Sequence, residues 1–323
     1  MKPRTRCLVL RPGALGDAIL SLAAFELIRR EHPGLTLTLA AGPAGRRVAE
    51  LSGIFDGTMA YESPDLAGLF VADEEPDGLL EDVAALVAFG AGGGESVAAR
   101  ALDSGVPAAV SVDTWPEPGG GHVAGQLVRR TAEALGVDLA AEPLEIVRRE
   151  LAAGDFSVPE GELVLAPPRV AADPQAWRNR PGPRVALAPG SGSPAKCWPA
   201  PDFAATCRLL AARGPLNAML VLGPAELDRP ETREAFAGVD CSVSECWSVR
   251  DLAALFACCD LYLGNDSGLS HLAAWSGAEG LAVFGPTDPE LWAPVGDVRP
   301  VAMAGLTPGK LAEAAGAILD WAG

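Results

Sequence analysis

An apolar strand that runs directly into a glycine loop opens each half of this chain, and that pairing limits the available folds more than any other feature. In the first half, Arg6–Leu10 leads into Pro12-Gly13-Ala14-Leu15-Gly16-Asp17. A helix with apolar residues at Ile19, Leu20, Ala23 and Leu27 is predicted from Asp17 to about Glu31. Leu35–Ala40 then alternates Leu and Thr as a second strand should. Strand–helix–strand of this length is a βαβ unit, which implies a parallel sheet with ligands at the C-terminal ends of its strands. Apolar runs at Ala84–Phe89 and Ala108–Val112 continue the alternation, and a helix is predicted from about His122 to Leu135.

The second half restarts with the strand Arg184–Ala188 and the loop Pro189-Gly190-Ser191-Gly192-Ser193. Its helix is predicted from near Pro201, proline being tolerated in a first turn, to Ala212. Strands follow at Asn217–Leu222, Asp260–Leu263 and Leu281–Phe284, and Leu311–Trp321 reads as a final amphipathic helix. Pro159, Pro167, Pro168, Pro174, Pro181 and Pro183 punctuate the stretch between the halves, as a linker would. The expectation is therefore an α/β protein of two doubly wound domains, residues 1–160 and 184–323, joined by a linker at 161–183. A chain of 323 residues suffices for two cores.

The formal charge of −17 disfavours a nucleic-acid partner, whose phosphates the protein as a whole would repel. The charge is uneven. Residues 1–50 hold eight cations against four acids, and residues 51–100 hold ten acids against the single cation Arg100. A locally basic N-terminal face that includes Arg46 and Arg47 suits an anionic ligand, although solvated helix ends would give the same count. No apolar run approaches the roughly eighteen residues of a membrane span, and the run before Arg11 is too short for a signal peptide. A cytoplasmic location is expected. The seven cysteines form no CxxC pair, so reduced, mostly buried thiols are expected.

Three loops carry candidate chemistry. At Gly13–Asp17, two glycines let the backbone turn sharply beside a ligand, and Asp17 stands at the helix start as a cap, a general base, or both. At Gly190–Lys196 the spelling GSGSPAK formally satisfies G-x-G-x-x-A. Pro194 and the lack of a suitably spaced acid argue against a dinucleotide site, whereas Lys196 beside a Gly/Ser loop fits a pyrophosphate contact. The third stretch, Gly264–Pro289, places Asn265-Asp266-Ser267-Gly268 between a strand and a helix, so backbone N–H groups and the positive helix end gather at one anion seat. His271 lies on that helix, as a structural residue or as part of the site. The chain has three histidines, no HExxH and no Asp-x-Asp, so no bound metal is expected and a diphosphate must be held by lysine and backbone N–H groups. The tryptophans read as core or rim.

RPGALGDAILSLAAFELIRREHP, APGSGSPAKCWP and GNDSGLSHLAA…FGPTDP occur in this order, and with them the chain resembles the ADP-heptose:lipopolysaccharide heptosyltransferases, glycosyltransferase family 9, over essentially its whole length. The resemblance implies a GT-B fold, in which two Rossmann-like domains face each other across the catalytic cleft. It implies Asp17 as general base on the acceptor hydroxyl, with Gly13, Gly16 and Arg46 on the acceptor side. It implies Lys196 as holder of the donor phosphates, with Gly190, Ser191, Gly192 and Ser193 in its loop. Asp266, Ser267 and Gly268 would contact donor sugar and phosphates, Glu226 the nucleoside, and His271 and Thr287 would lie near the donor. The implied reaction is metal-independent and inverting, and it needs no cofactor. Its donor would be ADP-heptose and its acceptor a lipid-linked, anionic inner-core saccharide met by transient contact with the inner membrane. The chain departs from the family between Met59 and Val112, which is acidic and lacks a signature, and at Cys197, where the family often has arginine. Another nucleotide-sugar donor, a GT-B nucleotide-sugar epimerase, a non-catalytic nucleotide-sugar binder and an NAD-dependent oxidoreductase are the rival readings.

Overall fold

Strands buried on both faces need apolar side chains on both, so they read as continuous apolar runs rather than alternating ones. The strands that open the two halves, VAALVAF and LYLGN behave in this way. The computed structural model describes residues 4–71, 78–90, 93–152, 177, 180–223, 226, 229–245 and 248–320. They divide into two compact units, Met1–Ala153 and Gly154–Gly323.

The first unit contains β1 (Arg6–Leu10), α1 (Leu15–Leu20), α2 (Leu22–Glu31), β2 (Thr36–Ala41), α3 (Pro43–Ser52) and β3 (Gly57–Ala60). After a 3₁₀ turn at Pro64–Leu69 come β4 (Val83–Phe89), α4 (Gly94–Asp103), β5 (Ala108–Val112), α5 (Val123–Leu135) and α6 (Pro143–Ala152). The strand order is β3-β2-β1-β4-β5 with every pairing parallel, Leu8 lying between Thr38 and Leu86. The chain therefore builds outward from β1 on one side and then crosses to its other side at β4. A crevice for ligands forms at such a reversal, because the loops leaving the two central strands turn away from one another. Leu8, Leu10, Leu66, Leu86 and Val97 pack into one of the unit's apolar clusters.

The helix expected to run unbroken from Asp17 to Glu31 is two helices. Its break is Ser21, whose hydroxyl donates to the Asp17 carbonyl (2.7 Å) and accepts from Arg11 Nε (2.9 Å). A serine bonding back to the carbonyl one turn earlier competes with the helix ladder and bends it. The start also differs from the prediction. Ala14 is the cap, and Asp17 is the third helical residue.

The second unit contains β6 (Arg184–Ala188), a 3₁₀ turn (Pro194–Lys196), α7 (Ala200–Ala211), β7 (Asn217–Leu222), α8 (Pro230–Ala235), β8 (Cys241–Glu245) and α9 (Val249–Ala257). Then follow β9 (Leu261–Asn265), α10 (Gly268–Trp275), β10 (Gly280–Phe284), α11 (Pro289–Trp292), β11 (Val298–Ala302) and α12 (Pro308–Ile318). All pairings are again parallel, in the order β11-β10-β9-β6-β7-β8. The reversal here falls between β6 and β9, with Leu187 opposite Leu263 and Ala188 opposite Gly264. Val185, Leu187, Phe203, Leu220, Leu263 and Val283 form the core under it.

Most of the expected linker lies outside the described residues. Trp177, within it, is buried and donates its indole N–H to the Asn217 carbonyl at 3.2 Å. Trp198 is buried edge-on against Phe203 at 5.0 Å, a core residue rather than a sugar platform. The six described cysteines are free thiols, but only Cys7 and Cys207 are fully buried, fewer than expected. Burial pushes both of these up to about 12. Among the described residues no helix is long and apolar enough to cross a membrane.

Candidate functional site

The reversal between β6 and β9 brings together the two loops that the sequence singled out in the second half. The loop after β6 carries Gly190–Lys196, and the loop after β9 carries Asp266–Gly268. They are fastened by Asn265, which the sequence reading gave no role, and by Ser191, which it placed in the donor loop. Asn265, fully buried at the end of β9, donates to the Pro189 carbonyl (2.6 Å) and accepts the Trp198 N–H (2.9 Å), so one amide holds both ends of the Gly190–Lys196 loop. Ser191 donates its hydroxyl to the Asp266 carbonyl at 2.8 Å and is itself buried, so it ties the loops together. Gly192 is exposed and Ser193 half-buried on the outer side of the same loop. The helix does not begin at GSGSPA, as a dinucleotide fingerprint would require. Residues 194–196 form a short 3₁₀ turn, and α7 starts only at Ala200.

At the end of that turn, Lys196 Nζ lies 2.8 Å from Asp266 Oδ2. The lysine is 33% exposed and the aspartate only 5%, so an accessible ammonium stands on a buried carboxylate. Thr287, from the turn after β10, donates its hydroxyl to the same oxygen. Asp266 thus faces Lys196 and Thr287 rather than open space. Beside it α10 begins at Gly268, and Ser267 at its cap has extended geometry with no capping bond from its side chain. The first N–H groups of this helix are therefore not capped by a side chain, which makes the helix end favourable to an anion. His271 is buried one turn into α10. Beneath it a buried relay runs from Tyr262 to the Ser270 hydroxyl (3.0 Å) and from Ser270 to the Asn265 carbonyl (2.6 Å).

Glu226 is buried under the same loop. Its Oε2 accepts the Gly223 N–H at 2.7 Å, and its Oε1 lies where a side chain at position 190 would go. A Cβ on Gly190 would stand 1.7 Å from that oxygen, so only glycine permits this approach. Gly190→Ala must displace Glu226 or the loop, and we expect a loss of about 1–3 kcal/mol of stability, as in other overpacked sites. Denaturant midpoints measure it, and Glu226→Ala in the same chain should recover most of the loss; an unchanged midpoint for Gly190→Ala would refute the clash.

In the first unit the loop after β1 is organised around Asp17. The Ala14 N–H donates to Asp17 Oδ2 at 2.8 Å, so the carboxylate reaches back from the third helical position to the cap. Gly13 has φ +136°, and a Cβ there would lie 2.8 Å from the same oxygen; backbone angle and space both exclude a side chain. The other oxygen, Oδ1, is 3.7 Å from Arg11 Nη2. Arg11 is 8% exposed, and burial lowers its guanidinium below the usual arginine value while the Asp17 charge opposes that effect. Arg11 also donates to Ser21 and to the Pro12 carbonyl, so it clamps the loop from within. Gly16 is in α1 next to Asp17. The loop after β2 lies alongside: a Cβ on Gly42 would be 3.9 Å from the Gly13 carbonyl. One turn on, Arg46 is half-buried, and its Nε has no hydrogen-bond partner among the described residues. Arg47 by contrast is exposed and paired with Glu50 at 2.6 Å. Among the described residues no group of three His, Cys, Asp or Glu side chains is placed to hold a metal.

Arg11 and Asn265 adjoin predicted residues in the chain, and only their burial and partners reveal what they do. Arg229 gave no signal beyond standing three residues after Glu226.

A family model described as glycosyltransferase family 9 (heptosyltransferase) matches residues 147–310, just over half the chain. A sequence comparison with curated proteins returns no match. Among solved structures, ADP-heptose lipopolysaccharide heptosyltransferase II of E. coli superposes with a TM-score of 0.71 at 16% identity, over 98% of each chain. A family 9 glycosyl transferase from Veillonella parvula DSM 2008 gives 0.71 at 16% identity, over 98% of this chain and 97% of that one. E. coli heptosyltransferase WaaC, solved with ADP, gives 0.64 at 17% identity, over 98% of this chain and 100% of its own. At such identities the likeness is one of fold, two parallel-sheet α/β domains of the GT-B kind.

Proposed function

Because this chain belongs to glycosyltransferase family 9, the heptosyltransferases, we propose that it transfers heptose from ADP-heptose to a sugar of the lipopolysaccharide inner core. Inversion at the anomeric carbon and independence of metal ions are part of the proposal. One observation carries the donor assignment: Lys196 stands on buried Asp266 beside the side-chain-uncapped start of α10, at the point where the second sheet reverses. A half-exposed ammonium held rigidly beside backbone N–H groups is a seat for a diphosphate. On this reading Asp17 takes the proton of the acceptor hydroxyl as its oxygen bonds to the anomeric carbon. The bond from that carbon to the diphosphate oxygen breaks, and the nucleoside diphosphate leaves with its charge balanced by Lys196 and the helix N–H groups. Asp17 Oδ2 serves the helix cap, and Oδ1 is the oxygen left to receive the proton. Arg46, with its Nε unpartnered among the described residues, would meet the anionic acceptor. The proposed setting is the cytoplasm, with transient contact at the inner-membrane surface where a lipid-linked acceptor is presented.

Thermal shift with ADP, UDP, GDP, NAD and ADP-heptose tests the donor, followed by product analysis with inner-core acceptor. We expect ADP and ADP-heptose alone to raise the melting temperature, since a ligand at a hundredfold its Kd stabilises by about 2.7 kcal/mol. A preference for UDP or GDP would keep the transferase and overturn the donor. Stabilisation by NAD alone would sink the nucleotide-sugar reading. Conversion of donor to an isomer with no glycoside formed would identify an epimerase.

A further inference from the structure

A diphosphate brings more negative charge than the Lys196 corner offsets, because that lysine already neutralises Asp266 and the buried carboxylate of Glu226 lies under the same loop. Another cation stands at this loop. Arg229 caps α8, and its backbone N–H donates to the Glu226 carbonyl at 3.0 Å, so its position is set by the residue wedged against Gly190. Its Nη1 donates to the Ser191 carbonyl at 3.3 Å and lies 3.8 Å from the Cys197 sulfur. Both contacts are to neutral groups, since burial raises the Cys197 thiol and keeps it uncharged. Both also use the same nitrogen. Nε and Nη2 make no hydrogen bond with the described residues, and the side chain is half-exposed.

We infer that Arg229 is a second cation of the donor site and contacts the diphosphate of the bound nucleotide sugar, alongside Lys196. The inference rests on the donor reading above and goes beyond it by naming how a site of this kind balances the leaving group's charge. A guanidinium fork offers parallel N–H groups to phosphate oxygens that an ammonium cannot match. Ser191 links the two cations: its carbonyl accepts from Arg229, and its hydroxyl donates to the carbonyl of Asp266, on which Lys196 stands. The closeness of Cys197 to Arg229 also supplies a control. An arginine at 197 can bring a guanidinium to the same place from the other side.

The test is calorimetric titration of wild type, Arg229→Gln and Arg229→Gln/Cys197→Arg with whichever of ADP, UDP and GDP the wild type binds best and with the nucleoside of that same base. Loss of one charge-assisted contact predicts a roughly tenfold weaker diphosphate for Arg229→Gln, with the affinity for the matching nucleoside unchanged. Introducing Cys197→Arg should restore much of the diphosphate affinity. Unchanged diphosphate affinity in Arg229→Gln overturns the inference. An equal loss of nucleoside and diphosphate, with no rescue, also overturns it, because it shows that Arg229 only shapes the loop. Failure of the wild type to bind any nucleoside diphosphate is a separate result that overturns the donor reading and the inference with it.

Discussion

Asp17→Asn should lower the transfer rate by about 10²–10⁴, the usual contribution of a positioned proton acceptor, while the temperature shift produced by donor stays as in wild type. Asparagine is the informative change because its amide oxygen still accepts the Ala14 N–H that the carboxylate accepts at 2.8 Å, so α1 keeps its start. What disappears is the charge, and with it the ability to take a proton. Stability should fall modestly as well, because Arg11 is buried and loses its nearest counter-charge at 3.7 Å. A transfer rate within tenfold of wild type, with acceptor saturating, would remove Asp17 from the chemistry and leave it as the cap of α1.

Lys196→Ala is the second large effect. Hydrogen bonds to charged groups contribute about 1.5–3 kcal/mol, so we expect nucleoside diphosphate affinity to drop by roughly ten- to a hundredfold. The substitution also leaves Asp266, 5% exposed, as a carboxylate without its ammonium, which should cost stability and repel the incoming diphosphate. The two effects separate in the double variant Lys196→Ala/Asp266→Asn. Removing the stranded charge should return most of the stability and little of the affinity. Full recovery of affinity would mean that Lys196 merely neutralises Asp266, and the donor contact would have to be sought in the α10 start and Arg229.

The architecture was legible because it depends on local pattern. Short apolar runs separated by helical spacing admit few arrangements other than parallel α/β units, and the glycine loops after Leu10 and Ala188 leave the C-terminal ends of the central strands. The strands expected at Asn217–Leu222 and Leu281–Phe284 are β7 and β10 to within a residue. The break at Ser21 was not legible, because a serine within a helical pattern reveals nothing until its hydroxyl is seen bonded to the Asp17 carbonyl and Arg11. For the same reason Asp17 read as a cap at the helix start, when it is the residue that reaches back to one.

By itself the sequence determined that this chain builds two parallel sheets and which loops follow the C-terminal ends of their central strands. Periodicity, glycine and proline act within a few residues and are written in order along the chain. The tertiary structure alone decided which groups meet there. Lys196 and Asp266 lie far apart in sequence and meet because the chain returns at β9 to lie beside β6, whereas Arg229 and Ser191 meet because β7, which precedes Arg229, pairs with β6 on its other side. Strand order is set by how whole helices and strands bury their apolar faces against one another. No short run of residues encodes it, so the charge pairing of the candidate site appears only once the second sheet has closed around β6.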